Sequence, residues 1–147
     1  MTFVDYDLIV EDLVLLVSSN ITDFDLVDHH MSDYERSLSN TSYCNITLSR
    51  GDSEIESLHS YLNRVTLNIE IATLDLSSKR EAVKIRNDLV NEVQELLKAN
   101  RQFSSSLETS VLTNVDFEVF GPNRGEDEDQ SFTATAVITV VAIVDSQ

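Results

Sequence analysis

The chain has 147 residues, enough for one domain with a real core, and its apolar and charged fractions of 41% and 24% are ordinary for a globular protein. Its charge balance is unusual: 26 acids against 10 bases leave a net charge of −16, which repels phosphate backbones and anionic lipid surfaces and argues against wrapping nucleic acid or adhering to a membrane. The single cysteine, Cys44, has no intrachain disulfide partner, which fits a reducing compartment.

Thr2 followed by Asp5 can open a helix, and Tyr6, Ile9, Leu13, Leu16 and Val17 then fall on one side, so residues 3–19 are expected to be helical. Asp5, Asp7, Glu11 and Asp12 interrupt the basic start and apolar run that a secretory signal needs, and no stretch is long and apolar enough for a transmembrane span. Leu8 and Leu15, seven positions apart, form a second apolar line on this helix. Either a neighbouring chain or a loop of the same chain has to cover it.

Residues 20–42 are acidic, polar and without period, which reads as a long surface connection. His29 and His30 beside Asp25, Asp28 and Asp33 look like metal ligands on paper, but adjacent histidines rarely converge on one ion, so no metal is expected. Asn20, Asn40 and Asn45 open sequons that matter only in a secreted protein. Strict alternation then places Cys44, Ile46 and Leu48 on one face of a strand, and RGDSEIES ends it as a loop. Arg50-Gly51-Asp52 within that loop is a polar turn rather than an integrin signal. A longer alternation points Val65, Leu67, Ile69 and Ile71 inward as an antiparallel neighbour.

Ser78 with Glu81 is a capping box, and Ala82, Ile85, Leu89, Val93 and Leu96 follow at helical spacing over about 78–100. Four of the ten bases, Lys79, Arg80, Lys84 and Arg86, crowd its first turns. Lys79 and Arg80 oppose the helix dipole, and Arg86 falls inside the apolar arc, where its head wants a carboxylate. Such local conflicts collect at functional sites, so an inter-subunit contact is expected there; the alternative is that these bases neutralise the chain's own acids.

Val115, Phe117 and Val119 alternate with Asn114, Asp116 and Glu118 in a third strand that ends at Gly121-Pro122, with GPNRGEDEDQ as its turn. Glu126, Asp127, Glu128 and Asp129 lack the spacing of a calcium loop and read as a repelling hairpin tip. The last strand, 132–144, is apolar on both faces and needs cover on both. The order helix, strand, strand, helix, strand, strand predicts a single α+β domain: a four-stranded antiparallel sheet, mixed pairing left open, with two helices packed on one face. No Walker loop, GxGxxG, GxSxG, HExxH or CxxC occurs, Cys44 sits where a strand buries it, and the abundant carboxylates read as solvated surface. A non-enzymatic role without cofactor is therefore expected.

This succession of an opening helix, SYCNITLSRGDSEIES, VTLNIEIATLD, SSKREAVKIRNDLVNEVQELL, VDFEVFG and FTATAVITVVAIV resembles the tail-terminator, or tail-completion, proteins of long-tailed bacteriophages. The resemblance implies a virion protein assembled in the host cytoplasm, whose copies form a ring, typically of about six, that caps the tail tube and meets a head-completion or neck protein. DNA would only pass through the lumen, which an acidic ring repels. Carried to this sequence, the subunit or partner interface falls on Lys79, Arg80, Lys84, Arg86, Leu8 and Leu15. Axial contacts fall on Arg50, Asp52, Glu54 and on Glu126, Asp127, Glu128, Asp129. Another head-tail connector or neck ring, an acidic adaptor mimicking nucleic acid, and a small hydrolase or isomerase are the competing classes.

Overall fold

The computed structural model describes residues 4–38, 42–57, 60–75, 77–124 and 130–144. In chain order the elements are α1 (Tyr6–Asn20), β1 (Leu26–His29), α2 (Asp33–Leu38), β2 (Ser42–Ser57), β3 (Ser60–Asp75), α3 (Lys79–Ala99), β4 (Leu107–Arg124) and β5 (Gln130–Val144). They build one five-stranded mixed sheet, ordered β1-β2-β3-β5-β4, in which β1 runs parallel to β2 and every other pairing is antiparallel. The α+β class holds, and the expected four-stranded sheet becomes five-stranded.

The extra strand comes from the stretch read as a surface connection. Leu26–His29 is too short to show a period, yet it pairs with residues 43–46 of β2, and the Asp25 carboxylate accepts from the Ser42 amide at 3.2 Å. The same stretch also holds α2, opened by a capping box in which Ser32 Oγ accepts from the Glu35 amide and donates to the Glu35 carboxylate, both at 3.2 Å. Arg36 of α2 pairs with Asp33 and reaches Glu70 on β3 at 3.5 Å.

Val65, Leu67, Ile69 and Ile71 of β3 alternate as expected, and all four are buried, in register with Ala142, Val140, Ile138 and Ala136 of β5. Onto that face pack Ile9, Val10, Leu13 and Val17 of α1 and Ala82, Leu89, Val90, Val93 and Leu97 of α3. α1 lies over β1 and β2, and α3 over β3, β5 and the inner side of β4. Glu70 belongs to the alternate set of β3 positions, so α2 covers a corner of the opposite face. The two expected helices, α1 and α3, share one face as anticipated, and α2 is a third that was not foreseen.

Helix α1 starts at Tyr6, not residue 3, because Asp5 caps it and accepts from the Leu8 amide at 3.1 Å. Tyr6 is largely exposed, its ring lying over Gly51, where a Cβ would stand 3.2 Å from the tyrosine oxygen. Helix α3 starts after Ser78, whose hydroxyl accepts from the Glu81 amide at 3.1 Å; the Ser78 amide is taken by Asp75 at 2.8 Å. Amide bonds from Ser77, at 2.9 Å, and from Ser78 hold the Asp75 carboxyl below its ordinary range. Ile85, placed on the apolar stripe from sequence, is exposed.

RGDSEIES is not a loop. A register shift between Leu48 and Arg50 flips the phase of β2, so the alternation resumes one residue later, on Gly51, Ser53 and Ile55. Nor does Gly121-Pro122 end β4: Gly121 takes a φ of 123° at a second irregularity, between Phe120 and Asn123, and the strand continues to Arg124. Proline is tolerated there because β4 is an edge strand. β4 also begins at Leu107, well before the expected start, and the Ser104 hydroxyl preceding it donates to Asp12 of α1 at 2.6 Å.

Candidate functional site

Arg86 is buried to 5% exposure, the one strongly buried base in the described structure. Its Nη1 donates to the carbonyls of Glu118 and Thr135, at 3.0 and 3.3 Å, which are register partners on β4 and β5. Nε and Nη2 both donate to Asn87 Oδ1, at 3.1 and 2.9 Å, and the guanidinium carbon stands 4.8 Å from the centre of the Phe117 ring. The carboxylate expected from sequence is thus replaced by two backbone carbonyls, an amide oxygen and an aromatic face. Burial pulls the guanidinium below its ordinary value without neutralising it.

Lys79, Arg80 and Lys84 are exposed. Arg36, Arg50, Arg64 and Lys98 each pair with an acid, whereas these three form no ion pair among the described residues. Seven positions beyond Arg80 and Lys84 stand Asn87 and Asn91, so these residues share a flank of α3. Asn87, Asn91 and Gln94 line a groove of about 370 Å³ with Arg86, Val90 and Phe117. Where it carries Asn87, Asn91 and Gln94 this flank faces Phe117 of β4.

The other flank of α3 carries Glu81, Asp88 and Glu92. Burial, with Asp23 and Asp88 close by, pushes the Glu92 carboxyl up. A carboxyl that holds its proton more tightly in the folded chain favours folding at acid pH, and that benefit is lost as pH rises through its raised value. Glu92→Gln is therefore expected to raise Tm at pH 7 by about 1–2 °C, the scale of an exposed charge contact, and to leave it unchanged near pH 3. Paired thermal melts at the two pH values check this.

The second apolar line on α1 is bare: Leu8 is 36% exposed and Leu15 64%. No described segment of the same chain covers Leu15, and the acidic Glu11 lies exposed between the two leucines. At the other edge of the sheet, strand β4 shows Val111, Phe117 and Phe120, each about half exposed, Phe117 on the helix face and the other two on the opposite one. Arg50 and Asp52 pair with each other at 3.0 Å, and Glu54 pairs with Arg64 at 2.9 Å, all on the β2–β3 hairpin. Further out on this hairpin Ile55 and Tyr61 are register partners and largely exposed. Glu126, Asp127, Glu128 and Asp129 lie outside the described residues.

His29 and His30 meet through their Nδ1 atoms at 3.2 Å, and the Leu48 amide donates to His30 Nε2 at 3.1 Å. Asp25 is engaged with Ser42 and Asp33 with Arg36. Among the described residues no group of three His, Cys, Asp or Glu converges on a common point. Cys44 is fully buried, and burial together with Glu70 pushes its thiol up to about 12, so it is held in the un-nucleophilic form. No helix among the described residues is long and apolar enough to cross a membrane.

The groove beside Arg86 and the exposed apolar residues of β4 and the hairpin tip were missed in the sequence. A signal existed for the groove, since a helical wheel of α3 separates Arg80, Lys84, Asn87, Asn91 and Gln94 from Glu81, Asp88 and Glu92. No known family model matches the chain, and no curated protein matches it in sequence. Among solved structures it has a distant neighbour in the sheath/tube terminator of PVC, an extracellular contractile injection system seen by cryo-EM in the extended state. Identity is 12% and the TM-score 0.44, over 100% of this chain and 60% of that one, so the chain spans less than two thirds of that terminator's length.

Proposed function

We propose that this chain is the repeating subunit of a closed ring, a non-enzymatic structural protein of tail-terminator type that caps a tail tube and joins it to a head or neck. The observation that carries this reading is a pair of unlike, uncovered surfaces at opposite edges of one sheet. Over β1 and β2 lies the outward line of α1, with Leu8 and Leu15; at the other edge lies β4, with Phe117 on the helix face beside α3, whose Lys79, Arg80 and Lys84 form no ion pair among the described residues, and with Val111 and Phe120 on the other face. Unlike patches on one subunit make head-to-tail contacts, and these close into rings when the rotation permits. An uncovered, partly apolar edge strand is otherwise a liability that a monomer has to blunt.

On this reading Lys79, Arg80 and Lys84 meet acids of an adjacent copy, and about six copies surround a lumen whose acidic wall lets DNA pass without holding it. In this ring the hairpin carrying Arg50, Asp52 and Glu54 makes the axial contact with tube or neck proteins, and the ring belongs to a virion or similar tube-bearing particle assembled in the host cytoplasm. Negative-stain microscopy of the purified protein tests this: end-on views are expected to show closed rings of uniform copy number. A population that stays monomeric at high micromolar concentration, and that does not bind tube ends, would remove the proposal. Rings seated in the neck rather than on the tube would reassign the protein to another connector.

A further inference from the structure

We infer that the contact joining one copy to the next is the outward edge of α1 on one copy seated in the groove between α3 and β4 of its neighbour. This rests on the ring reading and names the two halves of its interface. The occupant's edge is Leu8, Glu11 and Leu15, exposed on one line of α1 at spacings of three, four and seven, the pattern by which a helix anchors in a groove. The two leucines stand about 10 Å apart along the helix axis, with an acid between them.

The receiving surface is the chemical complement of that edge. Its floor is the half-exposed Phe117 ring with Val90 and its rim is the amide row Asn87, Asn91 and Gln94; Arg80 and Lys84, exposed one heptad before Asn87 and Asn91, follow that row toward the start of α3. An acid set between two leucines matches amide and cationic donors set above an aromatic floor. The four hydrogen bonds of Arg86 leave one guanidinium N–H over, and Arg86 itself lines the groove. A carboxylate entering there gives this buried cation the counterion that the chain does not supply among its described residues. A second copy is the occupant that fits, because both halves lie bare on the same chain, are unlike each other and stand at opposite edges of the sheet, as a head-to-tail contact requires.

A charge swap read by sedimentation equilibrium tests the pairing, with circular dichroism to show that each variant folds. Glu11→Lys and Arg80→Glu are each expected to weaken self-association about tenfold or more, and the double variant to regain most of it. Leu15→Asp is expected to weaken it at least as much, with no charge-swap rescue. Wild-type rings that persist unchanged in Glu11→Lys and Leu15→Asp overturn this contact and leave the ring reading standing. Open chains that show the charge-swap rescue uphold the contact and remove ring closure. A wild-type monomer overturns both, and weakening by the single variants without recovery in the double overturns the pairing.

Discussion

Replacing Arg86 with alanine is expected to destabilise the isolated subunit by about 3 kcal/mol, lowering Tm by about 6–12 °C for a chain of this size. The guanidinium ties α3 to two neighbouring strands at once, through the Glu118 and Thr135 carbonyls, and rests on Phe117. Hydrogen bonds from a charged group contribute about 1.5–3 kcal/mol each and a partly desolvated cation over a ring about 1–2, from which the cost of burying the charge must be subtracted. Alanine also leaves a void where the buried stem stood.

Methionine at the same position separates two accounts of this residue. If Arg86 is a member of the fold in its own right, Arg86→Met restores volume but not the carbonyl contacts, and the variant stays less stable than the parent. If Arg86 is a cation stranded until a neighbour arrives, methionine removes an uncompensated burial and the isolated subunit gains stability. Thermal or urea unfolding of the monomer decides, and a methionine variant as stable as the parent would sink the first account. The geometry favours the first, since Arg86 has acceptors from Asn87, Glu118 and Thr135 with no neighbour present.

What could be read from the sequence follows from how far each signal reaches along the chain. The alternation of Val65 to Ile71 was legible because β3 lies in the interior of the sheet under α3, so one side of every pleat is dry. Helix α3 was legible because Ser78 and Glu81 announce its start and its apolar period runs for five turns. β1 was not, because four residues on an outer edge carry no period, although the Ser32 and Glu35 box was there to mark α2. The outer half of β2 was hidden by a bulge: one extra residue near Ser49 moved every later side chain to the other face, and the change of phase reads like a loop. Gly121-Pro122 misled for a related reason, since a turn signal reports only a local dihedral preference, and an edge strand can absorb both residues at a bulge.

The candidate site divides along the same line. That Arg86 stood in the apolar arc of its helix was legible, being a matter of local spacing. That it would find carbonyls instead of a carboxylate was not, because this depends on β4 and β5 presenting Glu118 and Thr135 in register, 32 and 49 positions further on. The bareness of Leu15 was likewise undecided, since it turns on whether any later segment folds back over α1.

Leu13 and Leu15, two positions apart on α1, are expected to give opposite results under the same change. Leu13 is fully buried among Ile9, Val17 and the sheet, so Leu13→Ala is expected to cost about 3–4 kcal/mol through lost transfer energy and the cavity left behind. Leu15 is 64% exposed, so Leu15→Ala should change monomer stability by less than about 0.5 kcal/mol, alanine's better helix propensity offsetting the little apolar area lost. Urea titration of dilute protein measures both, and a Leu15→Ala cost above about 1.5 kcal/mol would show that the residue is covered within its own chain. At concentrations where copies associate, the order changes in kind: Leu13→Ala lowers the stability of each subunit and leaves the surface of any assembled fraction intact, whereas Leu15→Ala leaves the subunit intact and shifts the association midpoint. A helix whose two apolar lines answer to different measurements has one line for folding and one for a neighbour.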